Sequence, residues 1–369
     1  MSEKLWYKVA RTIVKAGAFP FPITDTLIEF IQTVITEEQA KFLLVYKKPS
    51  LNLEQIKAKI DMNEEAIIKM LNELMDNGIV IGAPSRRTGV MVYRLMGPYP
   101  GIFEYSLMKG ITDDKHKRLA ELADRLFDEL GTQSQKNYES ISKLYKQVPA
   151  VDRTIPVEKE VETGTEIIIP YEEIEKYIEE YGKEENNIAV AHCYCRHEHD
   201  LLNDPCKLGA PKLNCFLFDK SANFVIEHGF ASPITKEEAL KIFREAEDYG
   251  LVHKVFHVHS DPKQGIEAIC NCCKCCCGIF QMYLRGVTPF HTISSYISRI
   301  SLDKCIGCGT CVEKCPLEAI DLYDSVAIVN EESCIGCGIC AHHCPEEAIH
   351  LERIGPRDVY IPLKKTATN

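Results

Sequence analysis

Two stretches near the C-terminal end repeat one another almost residue for residue. The run from Lys304 through Cys305, Cys308, Cys311, Cys315-Pro316 to Ile320 recurs from Ser333 through Cys334, Cys337, Cys340, Cys344-Pro345 to Ile349. Each copy has the spacing C-x2-C-x2-C-x3-C-P. Three cysteines at two-residue gaps let one tight loop point three sulfurs at a single guest. Thiolate is a soft ligand, which favours iron–sulfur clusters and zinc. Gly307, Gly309, Gly336 and Gly338 can take positive φ, so the loop can curl inward and aim N–H groups at sulfur. Such bonds offset the negative charge of a thiolate-ligated centre. Ile306, Ile335, Ile320 and Ile349 are expected to shield it from water. Pro316 and Pro345 are expected to start short helices without wasting a donor. A tetrahedral zinc site uses paired C-x2-C knuckles across a longer gap and matches this pattern poorly.

The repeat resembles the bacterial two-cluster ferredoxin pattern, in which the fourth cysteine of each run serves the other cluster. That resemblance implies two [4Fe–4S] clusters, one on Cys305, Cys308, Cys311 and Cys344, the other on Cys334, Cys337, Cys340 and Cys315. It covers roughly 55 residues and implies one-electron transfer.

Ten of the eighteen cysteines lie outside these runs. Cys193 and Cys195 stand in His192-Cys-Tyr-Cys-Arg-His-Glu-His199, Cys206 and Cys215 flank a Gly/Pro loop, and Cys270, Cys272, Cys273, Cys275, Cys276 and Cys277 crowd one stretch. Tight grouping, rather than dispersed pairs, favours metal binding in a reducing compartment over disulfides. Adjacent residues of an extended run point to opposite sides, so six cysteines in eight positions are not expected to face one small site. The candidate ligands of a third site are Cys193, Cys195, Cys206, Cys215, Cys270, Cys272 and Cys273, and its occupant an iron–sulfur cluster or zinc, with free redox-active thiols as the alternative. The stretch from Arg153 to Gly278 resembles a family of cysteine-rich proteins that carry a ferredoxin module, which implies no particular activity. His192, His197 and His199 flank the first pair. They are expected to be surface residues, and Arg196 to bond a sulfur or pair with Glu198. His253, His257 and His259 share a strand face expected to be solvated.

Upstream, two prolines after Phe19 end a first helix. A helix from Asp25 to about Val45, a short one over 51–60 and another over 64–76 precede two β-like runs at 79–81 and 90–94. Helix, short helix, helix and hairpin in this order resemble a winged-helix domain. DNA binding would need basic side chains, yet the helix at 64–76 carries Glu64, Glu65, Glu73 and Asp76 against Lys69, and the net charge is −11. Both oppose phosphate binding; Arg86 and Arg87 are the one promising pair. Partner docking or homodimerisation through this domain is the alternative role.

The expected fold class is α+β multidomain: 1–96 winged-helix-like, 97–150 a helical linker with 97–110 and 131–137 as loops, 151–290 a cysteine-rich α/β domain, 291–356 ferredoxin-like, and 357–369 a tail. The middle domain should hold a strand at 165–169, a helix at 171–181, a strand at 188–192, a helix at 236–249 and a β-like run at 251–258. No apolar run spans a bilayer, and no secretory leader opens the chain, so a cytoplasmic location is expected. Electron transfer to a redox partner protein is the expected function. The alternatives are an iron–sulfur oxidoreductase subunit with chemistry at the middle site, and a redox-sensing winged-helix regulator. Gly131, Gly164 and Gly182 stand alone, without a dinucleotide fingerprint.

Overall fold

The structure is a computed structural model and describes residues 2–17, 21–85, 87–157, 173–257 and 265–366. The expected strand at 165–169, the start of the expected helix at Tyr171, and Phe19, Pro20, Arg86, Val258 and His259 lie outside the described residues.

The chain opens with α1 (Ser2–Ala16), α2 (Asp25–Val34) and α3 (Glu37–Leu43). The single helix expected from Asp25 to Val45 is therefore two. Ile35 is extended, and Thr36 and Gln39 form a reciprocal capping box that starts α3. That box satisfies backbone donors a continuous helix would have used otherwise. Next come β1 (Ser50–Asn52), α4 (Leu53–Lys57), α5 (Glu64–Asp76), β2 (Val80–Pro84) and β3 (Met91–Leu95). The strands form an antiparallel sheet in the order β1-β3-β2.

Residues 97–110 are not a linker. They form α6 (Ile102–Met108), whose Ile102, Phe103, Leu107 and Met108 are buried. The Glu104 carboxylate accepts the Gly101 N–H at 2.6 Å and secures the helix start. The loop expected at 131–137 is likewise helical, within α7 (Asp114–Lys136). Its polar residues are tertiary contacts: Gln135 donates from Nε2 to the carbonyls of Gly286 and Lys364, at 2.7 and 3.1 Å. The short α8 (Tyr138–Tyr145) follows.

The central part contains β4 (Asp152–Ile155), α9 (Ile174–Tyr181), β5 (Ile188–His192), α10 (Tyr194–Leu201), β6 (Leu213–Phe218), α11 (Asp219–Glu227), β7 (Ala231–Pro233), α12 (Lys236–Asp248), β8 (Val252–His257), β9 (Ile266–Cys272) and α13 (Gly278–Leu284). The repeat region holds β10 (Phe290–Ile300), α14 (Thr310–Lys314), β11 (Ile320–Tyr323), β12 (Val326–Val329), α15 (Ile339–His342) and β13 (Ile349–Ile361). One eight-stranded sheet joins the two regions, in the order β13-β10-β4-β8-β9-β6-β5-β7. β10 and β13 pair antiparallel from Phe290↔Ile361 to Ile300↔Ile349, and β10 meets β4 in parallel at Ile293↔Arg153. The tail expected beyond residue 356 is thus sheet as far as Ile361, and Val359, Ile361 and Leu363 are buried. Pairing with β10, resumed beyond an irregularity between Ser294 and Tyr296, satisfies backbone groups that a loose tail would leave to water.

One apolar core runs from Leu27 and Phe30 through Phe103 and Phe127 to Ala191, Leu217 and Phe224. Burying each large side chain contributes about 1.5–3 kcal/mol. The N-terminal elements are consequently packed on the central sheet. Among the described residues, no helix is long and apolar enough to cross a membrane.

Candidate metal centres

The repeat folds around two cavities. Cys305, Cys308, Cys311 and Cys344 line one; Cys315, Cys334, Cys337 and Cys340 line the other. Each cavity takes three cysteines from one run and its fourth from the other. The glycines make this loop path feasible. Gly309 and Gly338 precede α14 and α15 at φ of 80° and 78°. At Gly307 and Gly336 a Cβ would lie 2.1 Å from the carbonyl oxygens of Ser325 and Tyr296, so no larger residue fits either place.

Pro316 and Pro345 do not start helices. Glu318 and Glu347 take φ of 56° and 47°, which turns the chain out of helical geometry. The N–H of Ala319 then donates to Cys315 Sγ at 3.2 Å, and that of Ala348 to Cys344 Sγ at 3.3 Å. Ser298 adds a hydroxyl 3.2 Å from Cys340 Sγ. These are the contacts that stabilise a thiolate. Burial pushes the Cys340 thiol up to about 12 and Cys337 well above the ordinary range. Thiols so placed give up their protons when a metal centre binds, the metal displacing protons that are released to solvent.

The two cavities differ in exposure. Ile335, Ile320 and Ile349 are buried as expected, whereas Ile306 is 62% exposed and shields little. Ile335 belongs to one buried apolar cluster with Val252 and Phe280 of the central part and Phe290 of β10; Ile306, at the equivalent place in the other run, faces solvent.

The middle cysteines separate into two groups. Cys206, Cys273, Cys275 and Cys276 bring four sulfurs within 4.8 Å of one another. Cys193, Cys195, Cys277, Cys272, Cys270 and Cys215 form a file of neighbouring thiols that influence one another's ionisation, with Cys215 Sγ 3.8 Å from Cys270 Sγ at its end. Of the seven expected ligands, Cys206 and Cys273 join the first group, and the other five the second. Sequence reasoning missed Cys275, Cys276 and Cys277. Its alternation argument does separate Cys272 from Cys273, but β9 ends at Cys272 and the turn to α13 sets the later positions.

Arg196 lies between the groups with 1% of its surface exposed. Its Nη1 donates to the Asn271 carbonyl at 3.1 Å and lies 3.9 Å from Cys273 Sγ. The histidines are less exposed than expected. His197 is buried, with Nε2 3.0 Å from the Ile111 carbonyl, and burial lowers its basicity. His192 is half-buried, and His199 lies 3.3 Å from Asp204. His253 and His257 are not on a solvated face: both are buried, because β8 sits between β4 and β9 with covered faces. His253 Nδ1 lies 2.5 Å from Asn271 Oδ1.

Soft donors, left-handed glycines and N–H groups aimed at sulfur define an iron–sulfur cluster-binding domain. Residues 298–351 match the family model of the 4Fe-4S dicluster domain. No curated protein and no solved structure matches the chain.

Proposed function

We propose that the chain transfers electrons one at a time through two [4Fe–4S] clusters, held by Cys305, Cys308, Cys311 and Cys344 and by Cys315, Cys334, Cys337 and Cys340. The observation that carries this reading is the pair of cavities, each lined by four cysteines drawn from both runs. A bound cluster supplies reversible one-electron chemistry. The residues supply direction. Cys308 is exposed, whereas Cys334, Cys337 and Cys340 are buried. Cys337 also packs in the same apolar cluster as Cys272 and Cys277 of the thiol file. The order surface, Cys308 cavity, Cys337 cavity, thiol file is therefore the relay we favour. The six thiols of the file are the remaining candidates for a third iron–sulfur centre. The redox partner docks beside Cys308, where Ile306 of the same lining is exposed.

The test is anaerobic purification of the whole chain, with iron and inorganic sulfide counted and dithionite added. About eight irons, with matching sulfide, are expected from the two repeat cavities alone. Colourless material that dithionite leaves unchanged would refute the reading.

A second reading, an oxidoreductase subunit with chemistry at the thiol file, is supported by the polar groups beside Cys195. Gly278 N–H donates to its sulfur at 3.2 Å, and Tyr194 and Tyr99 hydroxyls meet at 3.2 Å nearby. For the N-terminal unit, the chain order α3-β1-α4-α5-β2-β3 and sheet order β1-β3-β2 support a winged-helix fold. DNA regulation finds less support. The end of α5 is held against the body, with Asp76 2.7 Å from His228 and its carbonyl accepting from Lys109 at 2.9 Å. Docking onto the central domain fits this better. A gel shift at low salt, with and without oxidant, is expected to show no DNA complex.

A further inference from the structure

We propose that Cys206, Cys273, Cys275 and Cys276 form a mononuclear tetrathiolate site for one thiophilic divalent ion, zinc or ferrous iron, separate from every iron–sulfur cluster of the chain. The argument is the spacing of the sulfurs. A metal ion with metal–sulfur bonds of about 2.3 Å in tetrahedral array holds its sulfurs about 3.8 Å apart. Here Cys206 Sγ lies 3.8 Å from Cys273 and 3.7 Å from Cys275, and Cys275 lies 3.5 Å from Cys276. Sulfurs this close enclose room for one atom. A cubane cluster carries its thiolates on four different irons, with sulfide between them, and needs the sulfurs further apart. The chain contains its own control. Among the described residues, the eight cysteines of the two repeat cavities form no group of three or more with sulfurs inside the same 4.8 Å limit.

The surroundings suit a closed, structural centre. The backbone amides of Ala210 and Lys207 lie near Cys206 and Cys275 respectively and favour the thiolate at each. Four thiolates and a divalent ion leave two negative charges, and the Arg196 guanidinium stands 3.9 Å from Cys273 Sγ to offset one of them. All four ligands come from the protein, so no position is open for substrate. Such an ion would fasten the loop between α10 and β6, which carries Cys206, to the turn between β9 and α13. That turn ends in Cys277, a member of the thiol file, so the ion would hold the file in register.

The assignment does not depend on the electron-transfer reading, because zinc, iron and inorganic sulfide are measured separately. The experiment compares the anaerobically purified full chain with its Cys206→Ser and Cys276→Ser variants, by metal and sulfide analysis and by X-ray absorption at the zinc and iron edges. The expected result is a loss of one zinc, or of one iron without sulfide, in both variants. The wild-type ion should show four sulfur neighbours at about 2.3 Å. Clusters in the repeat, read from their reduced spectra, should persist and show that the variants fold. Loss of iron together with sulfide, or unchanged metal content, would overturn the proposal. If neither variant folds, the wild type decides: zinc-free protein whose iron is fully matched by sulfide overturns it as well.

Discussion

Lys254 Nζ lies 2.8 Å from Asp152 Oδ1, and the two side chains are 0% and 1% exposed. Lys254 is on β8 and Asp152 on β4, and Thr292 of β10 donates its hydroxyl to the same carboxylate. The Lys254 ammonium also stands 4.3 Å from the centre of the Phe290 ring at the start of β10. This ion pair therefore sits where the repeat region meets the central sheet.

Removing one partner leaves an uncompensated buried charge. Lys254→Met is expected to cost about 3–5 kcal/mol, read as a shift in the denaturation midpoint of the anaerobic protein. Adding Asp152→Asn to Lys254→Met should recover part of that loss. A single variant as stable as wild type would mean the pair is not sealed from water.

The crossed arrangement of the two runs makes a specific prediction for the fourth cysteines. Cys344→Ser should weaken the cluster on the Cys305 run, and Cys315→Ser the one on the Cys334 run, with up to about four irons lost in each case. Electron paramagnetic resonance of the reduced protein separates the two, since only one should lose its environment. If each substitution instead damaged the cluster of its own run, the crossing would be wrong.

Gly336 and Gly355 isolate the effect of a close approach. Both have positive φ, 57° and 87°, but a Cβ at Gly336 meets Tyr296 O at 2.1 Å whereas Gly355 has nothing within 4 Å. Gly355→Ala should cost only the backbone strain, about 1 kcal/mol. Gly336→Ala should also lose iron from the Cys334, Cys337 and Cys340 cavity. Equal iron content in the two variants would count against the proposed loop geometry.

Burial raises the Glu104 carboxyl to about 7, against an ordinary value of 4.5, although the Gly101 N–H pulls the other way. The folded state thus retains a proton that the unfolded chain releases. The associated stability is complete below pH 4.5 and is lost as pH rises towards about 7, at up to about 1.4 kcal/mol per pH unit. Glu104→Gln keeps the acceptor for Gly101 and removes the titration. Its denaturation free energy should fall less steeply across this window than that of wild type; identical slopes would place Glu104 in water.

Several elements were legible because a local pattern marks them. Asn63 caps α5 as expected, and β5 occupies the predicted residues 188–192. The break at Ile35 was missed because the capping box of Thr36 and Gln39 competes with an otherwise continuous apolar stripe. Gly97, Pro98, Pro100 and Gly101 suggested a linker, but they only shape the approach to α6, whose apolar face finds a core formed by distant residues. His253 and His257 looked exposed because alternation along a strand does not tell whether its second face is covered.

Thiolate count and spacing are local, so the repeat by itself determined the two cysteine runs, their glycine turns and the iron–sulfur character of the last part of the chain. Tertiary structure decided which run faces solvent and which is covered by the central sheet. It also divided ten further cysteines into a compact tetrad and a buried file. The reason is that Cys206, Cys215 and Cys193 reach the 270–277 turn only after β5, β6 and β9 have paired, and strand pairing depends on residues far apart in the chain.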